Sequence, residues 1–253
     1  MSSVELLDKT RKINRLLHDN KKTKVVFNDI CECMGKLIDS CSFVLSRKGK
    51  MLGSFNDKVA EDILPFNDEV GEFIRPEINS RLLEVLSTQE NVNTETLGLK
   101  MPGEDKWYMM VAPIYIAGER LGTLVVCRNT DNYSIDDIIV TEYTTTVVGL
   151  EIMRSESEEH AEEDRRVRNI RSAISSLSSS ESKAMKQVLS ELDSNEGIIV
   201  ASRIADEVGI TRSVIVNGLR KLESAGIIEC HSSGMRGTFI KILNDDIQTE
   251  IYS

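Results

Sequence analysis

Residues 200–243 read VASRIADEVGITRSVIVNGLRKLESAGIIECHSSGMRGTFIKIL, and their pattern decides the C-terminal fold. Ser202 to Val208 is spaced as a short helix, and Gly209 follows where a left-handed cap is expected. Thr211 stands in position to cap a second helix with its hydroxyl. On that helix Val214, Ile215, Leu219 and Leu222 fall on one side, and Arg212, Ser213, Asn217, Arg220 and Lys221 on the other. Gly226 closes it. The run IIECHSSGMRGTFIKIL then forms a β-hairpin with Gly234 and Gly237 in its turn and Arg236 at its tip. Helix, turn, helix and a glycine-rich basic wing, in this order, describe a winged helix-turn-helix.

Arginine, serine and asparagine near the start of the second helix are the groups that hydrogen-bond base edges in the major groove, and a basic wing tip meets phosphate or the minor groove. The candidate DNA contacts are Ser202, Arg203, Thr211, Arg212, Ser213, Asn217, Arg220, Lys221 and Arg236. The competing reading is a winged helix that serves protein contacts alone.

Working upstream, Ser178 with Glu181 three residues later has the form of a capping box opening a helix that Asn195 to Gly197 end. Before it, Ser134 with Asp137 opens a long helix whose pattern runs on with no proline and only Gly149 as an interruption. Its first half is expected to pack on a sheet and its second half to be exposed. There an acidic block, Glu156 to Asp164, is followed by Arg165, Arg166, Arg168 and Arg171, as a solvated face or as a connector or dimer surface.

Residues 107–128, WYMMVAPIYIAGERLGTLVVCR, are two β-rich runs around Ala117, Gly118 and Glu119. SFVLSRKGKMLGSF is a second hairpin, whose strongly basic tip is either a solvated turn or an anion site. The two hairpins make an antiparallel sheet with a helix-covered face, which gives an α+β domain. Two amphipathic helices precede it, over 5–18 and from Asn28, read as a cap. Between the hairpins Pro65, Gly71 and Pro76 loosen the pattern, with one helix expected over 77–86; this insertion covers a pocket or is an irregular connection.

Composition bounds the function. The chain has 253 residues, is 40% hydrophobic and carries a net charge of -10, which argues against nonspecific nucleic-acid binding by the whole chain. Residues 200–243 carry six basic against four acidic side chains, hence +2, leaving -12 elsewhere. A basic module on an acidic body confines phosphate attraction to that module. No apolar run approaches membrane-spanning length and no secretory leader is visible, so a cytoplasmic protein is expected. The five cysteines are scattered and suit buried free thiols rather than a metal site. No paired nucleophile and base, phosphate-cradling glycine loop or metal cluster points to an enzyme.

ASRIADEVGITRSVIVNGLRKLESAGIIE and SGMRGTFIKIL resemble the DNA-binding module of the CodY family of bacterial global transcription regulators. The likeness continues through KTRKIN, SRKGKMLG, GERLGTLVV and EYTTTVVGLEIMR, so it covers most of the chain. The resemblance implies a GAF-like effector-binding domain over 1–150, a helical linker over 151–177 and a winged helix-turn-helix over 178–253. It further implies a homodimer that binds double-stranded DNA operators and mainly represses genes of amino-acid metabolism and stationary-phase adaptation. Its effectors would be GTP and a branched-chain amino acid, isoleucine, leucine or valine.

By the same resemblance Ser46, Arg47, Lys48 and Lys50 in the hairpin and Glu151 in the long helix would hold GTP, basic groups on phosphate and the carboxylate on guanine N–H groups. This favours the anion-site reading of the basic tip. Thr96, Leu97 and Leu99 would line the amino-acid site. The family's carboxylate-anchoring arginine falls in AEDILPFNDEVGEF, which offers Ile63 and Leu64; Arg75 and Arg81 lie further along. Either another group holds the carboxylate, or the effector is lost or changed. A regulator of the same fold without that effector is therefore the alternative.

Overall fold

The computed structural model describes residues 3–18, 27–56, 69–99, 106–192, 194–232, 234 and 237–252. They fall into two compact units, Met1–Glu156 and Ser157–Ser253.

The first unit carries α1 (Ser3–His18), α2 (Phe27–Ile38), β1 (Cys41–Ser46), β2 (Met51–Phe55), α3 (Pro76–Glu84), β3 (Gln89–Val92), a 3-10 turn (Thr94–Leu97), β4 (Tyr108–Ile116) and β5 (Glu119–Arg128). A long helix, α4 (Ile135–Ser175), follows. The strands make an antiparallel sheet of order β2-β1-β5-β4-β3. Both predicted hairpins form, with Gly49 at φ 82 in one turn and Ala117 and Gly118 at φ 51 and 82 in the other.

Central β1 is buried along Cys41 to Leu45 because both sheet faces are covered, which explains why its sequence does not alternate. On one face Val44, Met110, Ala112, Ile114, Leu124 and Val126 pack against Ile13, Ile30, Met34, Ile38, Val140, Val147, Val148 and Ile152 of α1, α2 and α4. On the other, Phe43, Leu45, Met51, Met109, Val111 and Val125 meet Ile78 and Leu82 of α3 and Leu97 and Leu99 from the segment after β3.

Two buried arginines lock the ends of this sandwich. Arg128 donates to the carbonyls of Ile38 (2.7 Å), Asp131 (3.0 Å) and Asn132 (2.8 Å) and to Asp137 Oδ2 (3.2 Å), tying the end of α2 to the first turn of α4. Ser134 and Asp137 close that turn reciprocally as predicted, each accepting from the other's N–H. Asn28, read as a cap, lies one residue inside α2 and accepts from Ser54 N–H at 3.0 Å, joining α2 to β2. The expected cap thus became a tertiary bond.

The second unit contains α5 (Ser179–Ser190), β6 (Glu196–Ile199), α6 (Ala201–Val208), α7 (Arg212–Ser224), β7 (Ile228–Ser232), β8 (Thr238–Ile242) and α8 (Ile247–Glu250). Its sheet order is β6-β8-β7. Strand β6 was read from sequence as the end of a helix; its GII run supplies a third strand beside the wing. The core joins Ile170 and Ala173 from the last turns of α4 to Met185, Val188, Ile204, Ile215, Leu219, Leu222, Ile228, Ile240 and Ile247. Residues 156–166 of α4 are exposed, as the charge block implied.

The capping box at α5 is formed: Ser178 N–H donates to Glu181 Oε2 at 2.7 Å and Glu181 N–H to Ser178 Oγ at 3.3 Å. Lys221 Nζ donates to the same Glu181 oxygen at 2.7 Å. The Lys221 bond first, and then the Ser178 N–H, hold the Glu181 carboxyl below its ordinary value of 4.5. A depressed carboxylate contributes stability above that value and loses it as pH falls through the folded one. Ser178→Ala is expected to cost this unit about 1 kcal/mol in denaturant unfolding. Acid-induced loss below pH 4.5 should be smaller in Glu181→Gln than in the parent. Among the described residues no helix is long and apolar enough to cross a membrane.

Candidate nucleic-acid interface and effector sites

The DNA-reading surface is built outward from a buried helix face. Gly209 takes the left-handed cap at φ 72 and ψ 38, turning the chain from α6 into α7. Ile215, Gly218, Leu219 and Leu222 of α7 face the core. A Cβ at Gly218 would stand 3.0 Å from Met185 Cε, so glycine there lets α5 and α7 approach closely. With that face fixed, Thr211, Arg212, Ser213, Asn217 and Arg220 are exposed together.

Thr211 occupies the N-cap position, but its hydroxyl pairs with Ser213 Oγ at 2.8 Å and makes no side-chain cap. Ser202 is exposed on α6. Arg203 is held by Glu191 at 2.6 Å and Glu207 at 3.7 Å, which raises its pKa, chiefly through the Glu191 hydrogen bond. Lys221 is engaged with Glu181 and the Ser176 carbonyl. These two cations have intramolecular partners that the sequence did not reveal. The wing strands pair from Ile228 opposite Ile242 to Ser232 opposite Thr238, with Gly234 and Gly237 at φ 62 and 118. Arg236 lies outside the described residues.

The basic turn is pinned from three sides. Ser46 Oγ accepts from Lys50 N–H at 3.0 Å, and Ser46 O from Gly49 N–H at 2.9 Å. Arg47 N–H donates to Leu121 O at 2.8 Å, and Asn79 Nδ2 to Arg47 O at 3.2 Å. Arg47, Lys48 and Lys50 are left exposed. Ser46 lies opposite Gly122, which lies opposite Ile114, and Gly149 of α4 packs against Ile114 and Ile116. Two strand spacings, about 10 Å, therefore separate the turn from the part of α4 that carries Glu151. Glu151 is 3% exposed and pairs with Arg154 at 3.8 Å.

Leu97 and Leu99 are buried in the apolar cluster under α3. The Thr96 side chain, Ile63 and Leu64 lie outside the described residues. Arg120, two residues past the β4–β5 turn glycine, is 9% exposed. Its Nε donates to Gly122 O (3.0 Å), and Nη2 to Leu82 O (3.0 Å) and Thr123 Oγ1 (2.9 Å). Its Nη1 donates to Val85 O and, at 3.4 Å, to Leu83 O. All five guanidinium N–H groups are thus used, mostly on the last carbonyls of α3.

A separate cavity of about 560 Å³ at the β3 edge, lined by Asn91, Asn93, Glu95, Trp107, Tyr108 and Asn132, includes none of the candidate residues. Cys31, Cys41 and Cys127 are buried free thiols, and burial pushes Cys31 up to about 12. Among the described residues no group of His, Cys, Asp and Glu is placed to hold a metal.

Family models match the chain in two places, the CodY GAF-like domain over residues 5–176 and the CodY helix-turn-helix domain over 195–252. The global transcriptional regulator CodY of Lysinibacillus sphaericus is 45% identical over 248 residues, covering 96% of this chain and 95% of that protein. Its Bacillus velezensis counterpart is 46% identical over 255 residues, 98% of each. The cofactor-binding GAF domain of the nutrient sensor CodY from Clostridium difficile is 35% identical, covering 60% of this chain and 99% of that one with a TM-score of 0.45.

Proposed function

The chain belongs to the CodY family of DNA-binding transcriptional regulators, and from that we propose a cytoplasmic homodimer that occupies operators, mainly as a repressor, in response to GTP and a branched-chain amino acid. The observation that carries the reading is the row Arg212, Ser213, Asn217 and Arg220, exposed on a helix whose opposite face is buried. Arg203 and Lys221, already paired with carboxylates, orient the helices beneath that row and contribute to phosphate attraction as a field. Ser202, Thr211 and Arg236 complete the proposed contact set.

GTP is proposed at Ser46, Arg47, Lys48 and Lys50 with Glu151. The turn offers three exposed cations for phosphates at the same sheet end as a buried carboxylate suited to guanine N–H groups. Arg47→Ala or Lys50→Ala should weaken GTP binding about tenfold, the value of one charge-assisted hydrogen bond, in calorimetric titration. Wild-type affinity in both variants would remove the turn from the site.

A second copy is supported by α4. Ile135, Ile139, Leu150 and Met153 are 76%, 41%, 48% and 44% exposed and recur on one helix face. A twofold pair would present two recognition helices to two half-sites, and effectors would act by favouring the dimer geometry that matches DNA. The reading in which the amino-acid effector is lost or changed is favoured by Ile63 and Leu64 where the family places its arginine.

A further inference from the structure

We infer that Arg81 is the carboxylate anchor of this chain's effector site, and that the ligand is a small carboxylate with a branched aliphatic body. The inference rests on the amino-acid-effector reading above. Arg81 lies on α3 between Ile78 and Leu82, both buried in the apolar cluster. Its guanidinium lies against Gly98, which sits between Leu97 and Leu99, also buried there. A Cβ at Gly98 would overlap Arg81 Nη1, and Gly98 has φ 72, so the 94–99 segment is shaped to receive that group. The cation therefore stands on the seam between the two apolar walls, α3 and the residues after β3.

The other cations bordering this cluster are committed or displaced. Arg120 has no N–H left to donate. Arg75 precedes the first turn of α3 and is exposed. Lys106 stands over the Tyr108 ring at 4.9 Å. Among the described residues Arg81 has no ion-pair partner, although Glu77 stands one turn before it on the same helix.

Its carrier is held at both ends. Ile74 N–H donates to Gly49 O at 2.9 Å and Asn79 to Arg47 O at the start of α3, while Arg120 holds the carbonyls at its end. A planar guanidinium on a fixed helix, flanked by apolar side chains, is suited to bidentate recognition of a carboxylate whose aliphatic part enters between the walls.

The test is calorimetric titration of the full chain and of Arg81→Ala with isoleucine, isoleucinamide and GTP. Isoleucine should bind Arg81→Ala about ten- to a hundredfold more weakly, as for loss of a charge-assisted pair, and Arg81→Lys should recover part of the affinity. Isoleucinamide should bind both proteins with the same weak affinity, and GTP both with the same affinity, which separates an anchor from a merely structural residue. Equal isoleucine binding by wild type and Arg81→Ala would overturn the assignment alone. A wild type that binds GTP but none of isoleucine, leucine and valine would overturn the amino-acid reading and the anchor with it.

Discussion

Arg212→Ala is expected to weaken binding to a specific duplex by about 1 to 3 kcal/mol, and Asn217→Ala by a similar amount, while leaving the unfolding midpoint of the winged helix unchanged. Both side chains are exposed, and the face of α7 that carries the fold is the opposite one, Ile215, Gly218, Leu219 and Leu222. Loss of affinity is therefore separable from loss of structure. A base contact also predicts relaxed discrimination at one position of the site, whereas a phosphate contact predicts a uniform loss and a shallower salt dependence. Arg220, further along the same helix, is expected to follow the phosphate pattern. Unaltered affinity of Arg212→Ala in an anisotropy titration would remove α7 as the reading helix.

Arg120→Met should be the most disruptive single change in the sensor unit, on the order of 3 kcal/mol, because it strands carbonyls of Leu82, Val85 and Gly122 that now have a donor. The loss should be concentrated in α3 and the wall it forms. Trp107 is the chain's one tryptophan and packs against the same apolar cluster, so its fluorescence in denaturant reports this unit. The variant should also bind isoleucine poorly, since Arg81 loses its fixed platform. A variant with parental stability would mean that water replaces the guanidinium at the end of α3.

What the sequence disclosed, and what it hid, follow one physical division. Features set by neighbours in the chain were legible: both hairpins, the cap at Gly209, and the reciprocal boxes at Ser134 and Ser178. Features set by distant residues were not. Arg120 sits in GERLG beside a turn and reads as a surface residue; only the arrival of α3's carbonyls makes it a buried clamp. Asn28 and Thr211 are sound capping residues by type, yet Ser54 and Ser213 offered them other partners. Strand β6 is four residues long and acquires its identity from β8, more than forty residues later in order of synthesis, so local pattern underdetermines it.

The sites divide the same way. The exposed row on α7 could be read from helical periodicity alone. The pairing of Arg203 with Glu191 and of Lys221 with Glu181 could not, because each joins two helices. Arg81 and Gly98 come from separate segments of unremarkable sequence, and their meeting at the seam of the apolar cluster exists only in the folded chain.

The central claim is that DNA reading by α7 answers to small molecules bound in the sensor unit. Its most direct test is an anisotropy titration of a duplex selected by this protein from a random library, without effectors and with GTP plus isoleucine at fixed salt. The expected result is a selected sequence bound about tenfold more tightly with the effectors, equivalent to about 1.4 kcal/mol of coupling. Superimposable curves with and without effectors, or failure to select any sequence, would contradict it.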